Sequence, residues 1–174
     1  MKKITILFVL CSFTTLFLAC GSSSTIKEPD AIGKYAFKIL KDIQTTSKQE
    51  FLTKLLTIET LREAVKKEEN GFSERAKNEI TRMTKEDYNS RIERDYNQLK
   101  KQAIKYNIVW NKIKYIDYTF KIKEKNGDKS TDGTLYFSHN SQTYVVSVST
   151  VNIGEGYSII ELERLKKNTG ERNY

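Results

Sequence analysis

The sequence predicts an α+β fold in which N-terminal helices, one of them long and amphipathic, pack on a C-terminal four-stranded antiparallel meander. Two changes of pattern carry this. Apolar residues recur at helical spacing up to Tyr106, and beyond it they alternate every second residue. The loops between the alternating segments are short and rich in Gly, Asn and Ser, which joins neighbouring strands antiparallel rather than through crossovers. Helices first and strands last place a helical layer on one face of a sheet.

Asp30 is placed to cap a first helix carrying Ile32, Phe37, Ile39, Leu40 and Ile43. Ser47-Lys48-Gln49-Glu50 is a capping box ahead of Phe51, Leu52, Leu55 and Leu56. Ile58, Leu61 and Val65 continue that helix or start a successor, and Asn70-Gly71 ends it. A third helical stretch runs from Ser73 to Tyr106 with an entry or kink at Thr84-Lys85-Glu86-Asp87. In it Tyr88, Ile92, Tyr96, Leu99, Ala103 and Tyr106 form the core stripe, and Arg91, Arg94, Asp95, Lys100 and Lys101 a solvated face.

Period-two alternation then predicts a strand around Ile116, Tyr118, Phe120 and Ile122, a turn over Asn126 to Gly133, and a strand from Thr134 to His139. Asn140-Ser141 is a tight turn, Thr143 to Val151 a third strand, and Gly156 to Leu165 a fourth. Alternation assigns Ile116, Tyr118, Phe120 and Ile122 to the inner face. It sends Leu135, Phe137, Tyr144, Val146, Val148, Ile160 and Leu162 there too. The helix with Tyr96 and Leu99 is expected to cover it.

The first residues read as an export signal: Lys2 and Lys3, an apolar run from Ile4 to Leu18, then Phe17-Leu18-Ala19-Cys20 followed by Gly21-Ser22-Ser23-Ser24. This resembles the bacterial lipoprotein signal, with Phe17 where Leu is commoner. The resemblance implies cleavage before Cys20 and lipidation of its sulfur. The other readings of the leader are a type I signal with an incidental Cys, or an uncleaved anchor. The chain then divides into a leader at 1–19, lipidated Cys20 with a tether to 29, one domain over 30–166 and a frayed tail at 167–174. Gly rather than Asp after Cys20 points, on the enterobacterial sorting pattern, to the outer membrane and its periplasm-facing leaflet.

There are 30 Lys and Arg against 22 Asp and Glu, a formal charge of +8 that loss of Lys2 and Lys3 lowers to +6. A basic balance often marks nucleic-acid binding, but an exported protein does not meet nucleic acid. Ordinary solubility explains the balance, and the expected partners are the membrane through the N-terminal lipid, an envelope protein or anionic glycan, or a second copy.

The element order, with Asp-Gly-Thr-Leu-Tyr-Phe leading to Tyr-Val-Val-Ser-Val in successive strands, is similar to the nuclear-transport-factor-2-like and cystatin-like folds of many small bacterial lipoproteins. Such folds serve enzymes and binding modules alike, so function has to come from a site.

Catalytic candidates are few. His139 is the sole imidazole and sits at a strand end, and Asp117 lies on the face opposite Tyr118, so the two make no convincing acid–base pair. Asp128 to Gly133 has the oxygen spacing and sixth-position Gly of a calcium loop, but its twelfth position is His139 rather than Glu, and a turn is the preferred reading. No catalytic residue, metal or cofactor is assigned. Lysines at 112, 114, 121, 123 and 125 read first as guards of an exposed sheet edge. With Lys121 and Lys123, alternation puts Tyr115, Tyr136, Val145, Val151 and Ile159 on the outer face, a mixed aromatic, aliphatic and basic surface suited to partner binding. The leading expectation is a lipid-anchored, non-catalytic binding or accessory module. The alternatives are a small-ligand carrier or enzyme with a pocket between helices and sheet, and an inhibitor of immunity type that guards the envelope.

Overall fold

In the computed structural model, residues 25–125 and 128–170 are described. The helices are α1 (Pro29–Asp42), α2 (Lys48–Lys54), α3 (Ile58–Lys66), α4 (Glu74–Arg82) and α5 (Lys85–Lys105). They precede β1 (Lys114–Lys125), β2 (Asp128–His139), β3 (Gln142–Asn152) and β4 (Tyr157–Lys167), joined antiparallel in the order β1-β2-β3-β4. The chain is therefore α+β with a C-terminal meander.

The helix starts follow from their caps. Pro29 opens α1, where its missing N–H costs nothing. The capping box forms as expected: Glu50 N donates to Ser47 Oγ (3.2 Å), and Ser47 N to Glu50 Oε2 (2.8 Å). Leu55 breaks the helix because the next amide, Leu56 N, donates to Ile159 O on β4 (2.8 Å). Thr84 does more than kink the third stretch. Met83 is extended, and Thr84 Oγ1 accepts from Asp87 N (3.0 Å), so α4 and α5 are separate helices.

Asn140 and Ser141 both take positive φ (49° and 62°), which suits a two-residue hairpin between His139 and Gln142. The β1–β2 turn is tighter than expected, since strand pairing runs to Lys125 and Asp128. The Asp128 to His139 segment is thus one continuous strand and not a loop that could wrap a calcium ion. Among the described residues no cluster of three or more His, Cys, Asp or Glu could hold a metal ion.

The layer over the sheet differs from the expected one. α1, not α5, crosses the inner face, touching β1, β2 and β4, whereas α5 runs beside β4. Under α1 the core is closed by Trp110, Phe137, Leu135, Val146 and Val148, with the Trp110 and Phe137 rings 6.1 Å apart. Val146 is fully buried, but Phe120 lies beyond the cover and is only half-buried. The domain also begins earlier than Asp30: Ile26 is buried, and it and Tyr157 exchange two backbone hydrogen bonds of 2.8 Å.

Three register shifts interrupt the sheet, one in β1 and two in β4; the one between Glu163 and Lys166 carries the positive φ of Arg164, and the other two reset the alternation at residues placed by parity. In β1 a bulge falls between Tyr115 and Asp117, so Tyr115 faces Phe137 across the pair while Asp117 faces Tyr136. Tyr115 therefore belongs to the inner side, packed edge-on against Phe37 (5.6 Å, 83°), and Ile116 is the extra residue, 48% exposed. In β4 a shift between Ile159 and Glu161 puts Ile159 opposite Thr150, 2% exposed, and leaves Ile160 half-buried at the edge of the core. Ile122, at the far end of the uncovered strand, is 55% exposed.

Candidate functional site

Three features stand out: the outer sheet face, the pair of lone candidates Asp117 and His139, and a cleft along the α5–β4 seam. No helix among α1, α2, α3 and α5 lies over the outer face of β1 to β3. Tyr136 and Val145 pair directly across β2 and β3 there, both half-buried. Ser147, Ser149 and Thr134 surround them as a flat polar row, with Val151 at one end. Lys121 and Lys123 share this face, exposed, and Lys123 pairs with Asp132. Of the seven residues expected here, five are present: Lys121, Lys123, Tyr136, Val145 and Val151. The bulge withdraws Tyr115, and the β4 shift withdraws Ile159 into the core.

His139 is not at a solvated strand end. It is 4% exposed, and its Nε2 accepts from Val109 N (3.3 Å), so it ties the segment after α5 to the sheet. Asp117 is exposed beside the bulge, its Oδ1 accepting from Tyr118 N (2.8 Å). The first serves the core and the second the strand backbone; the two do not form one site.

The cleft was not foreseen. At one end Ala76 and Ile80 of α4 and Met83 just after it, all half-buried, stand opposite Val151 and Ile160 of the sheet around an apolar space of about 270 Å³. No residue of α4 is fully buried, and its main packing partner is α3. At the mouth, Arg91 Nε and Glu161 Oε1 form an ion pair of 2.6 Å. Further along α5 and β4, past that pair, lies a second, polar space of about 390 Å³ that shares no lining residue with the first and is bounded by Asp95, Gln102, Lys105, Glu163, Arg164 and Lys166. Burial, reinforced by Glu161 and Glu163, pushes the Asp95 carboxyl up to about 6, against the pull of Arg94 and Arg91. Burial likewise pushes the Tyr88 hydroxyl well above its ordinary range, while that hydroxyl donates to Leu56 O (2.6 Å). Arg164 holds a positive φ of 59°, a conformation that a non-glycine residue adopts at a cost. The side-chain Oε1 of Gln102 is buried without a hydrogen-bond partner.

One signal for Asp95 was available. It stands three residues after Ile92 and four before Leu99, inside the apolar stripe rather than on the solvated face. The partners from β4 were hidden by the strand irregularities. No family model matches this chain, and neither curated proteins nor solved structures match it.

Proposed function

We propose that this chain is a bacterial envelope lipoprotein, attached through Cys20 and facing the periplasm, that acts as a non-catalytic binding module. Cys20 and the leader lie outside the described residues, and the support for them is the basic, apolar and small-residue grammar of the first twenty positions. Among the described residues no helix is long and apolar enough to cross a membrane. The helix-and-meander order also supports kinship with the cystatin-like and nuclear-transport-factor-2-like lipoproteins.

The observation that carries the reading is the contrast between the two sheet faces. The inner face is filled by Trp110, Phe137 and their neighbours, whereas the outer face offers Tyr136 and Val145 in a flat row of Ser and Thr. A tyrosine and a valine set in small hydroxyl residues provide a desolvatable centre with a polar rim, the anatomy of a protein interface. The partner is an envelope protein.

The test is capture of partners from the native envelope by the solubilised full chain, comparing wild type with Tyr136→Lys and Val145→Glu. Loss of the captured protein by both variants, with an unchanged thermal unfolding curve, supports the reading. Equal capture by wild type and variants overturns it.

A further inference from the structure

We propose that the α5–β4 cleft binds one molecule of a single-chain amphiphile with an anionic, hydroxyl-bearing head, of the lysophospholipid class, its alkyl chain under α4 and its head in the polar stretch beyond the Arg91–Glu161 pair. This site shares Val151 with the outer face but neither Tyr136 nor Val145, so variants at those two residues distinguish its failure from that of the proposed binding surface.

The apolar end is a gap between two elements rather than a dent in one. Ile80 on α4 and Met83 just after it face Val151 and Ile160 on the sheet, and Phe72 and Ile92 close the space between them. Ile160 lines it because the β4 irregularity holds this residue at the edge of the core, half-buried. Small-molecule sites run from about 300 to 1,000 Å³. At about 270 Å³ this end suits one alkyl chain and not two.

The polar end has the opposite character. Four cations, Arg94, Lys105, Arg164 and Lys166, surround it against two carboxylates, Asp95 and Glu163, and Arg164 Nε already pairs with Glu163 Oε1 at 2.9 Å. The balance favours an anionic head, with the guanidinium groups suited to phosphate oxygens. The buried Gln102 Oε1 lacks a donor, which a head-group hydroxyl would supply. Both ends lie on the same helix and strand: α5 supplies Ile92 and Gln102, ten residues apart or about 15 Å along the helix, and β4 supplies Ile160 and Arg164. That distance separates a tail from a head in one molecule.

The test uses the purified full chain and a lysophosphatidylglycerol carrying a diazirine in its acyl chain. After irradiation, adducts are mapped by peptide mass spectrometry. Labelling is expected on the segments holding Ile80, Met83 and Ile160, and unlabelled lysophosphatidylglycerol should suppress it at concentrations at least tenfold lower than dodecylamine. Ile160→Asp should remove the labelling. The double variant Arg164→Gln with Lys166→Gln should keep it while erasing the tenfold preference for the anionic competitor. Because Ile160→Asp adds a charge near the core, Met83→Lys serves as a second blocking variant, with circular dichroism checking that each is folded. Adducts scattered over the surface, as insertion into detergent or bilayer would give, overturn the site. Localised adducts competed equally by dodecylamine overturn the anionic head.

Discussion

Tyr118 lies between two backbones. On one side Gly33 of α1 presses against its Cβ and Cγ, and on the other Gly133 of β2 meets its hydroxyl end. A methyl group at either glycine would overlap the ring. In an exposed helix Gly→Ala stabilises by up to about 1 kcal/mol. At Gly33 the sign should reverse, with a loss of about 1–3 kcal/mol in chemical denaturation, because the clash falls on the rigid root of the Tyr118 side chain. Asp95 makes a second prediction at this scale. Its carboxyl titrates at about 6 in the fold against about 4 when unfolded, so the unfolded chain loses this proton first. The native state is then favoured below pH 4, and that advantage is lost as pH rises towards 6. Asp95→Asn should raise stability at pH 7 and flatten the pH dependence of the denaturation midpoint between pH 4 and 6. A midpoint that falls at pH 7 would contradict this.

Among the elements, α4 and α5 differ most in how they are held. α5 buries Tyr88, Ile92, Tyr96 and Leu99, and two of its tyrosine hydroxyls donate to the backbone at Leu56 and Thr46. α4 buries no residue fully. Amide hydrogen exchange should therefore run at least tenfold faster in α4 than in the middle of α5, since local opening costs little where few apolar contacts are lost. For the strands, Phe137→Ala should cost about 3–5 kcal/mol, because the ring is fully buried. Phe120→Ala should cost clearly less, and Lys121→Ala almost nothing. Equal losses for Phe137 and Phe120 in urea titration would refute the α1 cover.

Much of the element order was legible because caps and turns are local chemistry. Ser47 with Glu50, and Asn140-Ser141, announce their structures within four residues. What escaped was set by tertiary contact. The helix breaks at Leu55 because the next amide, Leu56 N, donates to β4, and the bulge at Ile116 and the shift at Ile160 reverse the facing of residues that simple alternation fixes by parity. The outer-face reading survived at Tyr136 and Val145 because β2 and β3 pair in unbroken register. It failed at Tyr115 and Ile159, each on the far side of an irregularity. The cleft needed both the β4 irregularity, which carries no sequence motif, and the separation of α4 from α5, which the Thr84 cap marked only as an entry or kink.

At the scale of the whole molecule, attachment through Cys20 predicts that Cys20→Ala abolishes lipid labelling and leaves the chain unprocessed; mass spectrometry of the membrane fraction that finds wild-type Cys20 unmodified would end the assignment. If the proposed attachment holds, it gives the Ile26–Tyr157 bridge a mechanical meaning. Cys20 and Ile26 are six positions apart, a reach of about 21 Å at full extension. The domain would ride close to the bilayer, and any tension on the anchor would enter the protein at the start of β4. Two hydrogen bonds take that load first, before it reaches α1. Under a modest pull the bridge is the fuse: it opens, lengthens the leash by a few residues, and leaves the four-stranded sheet intact.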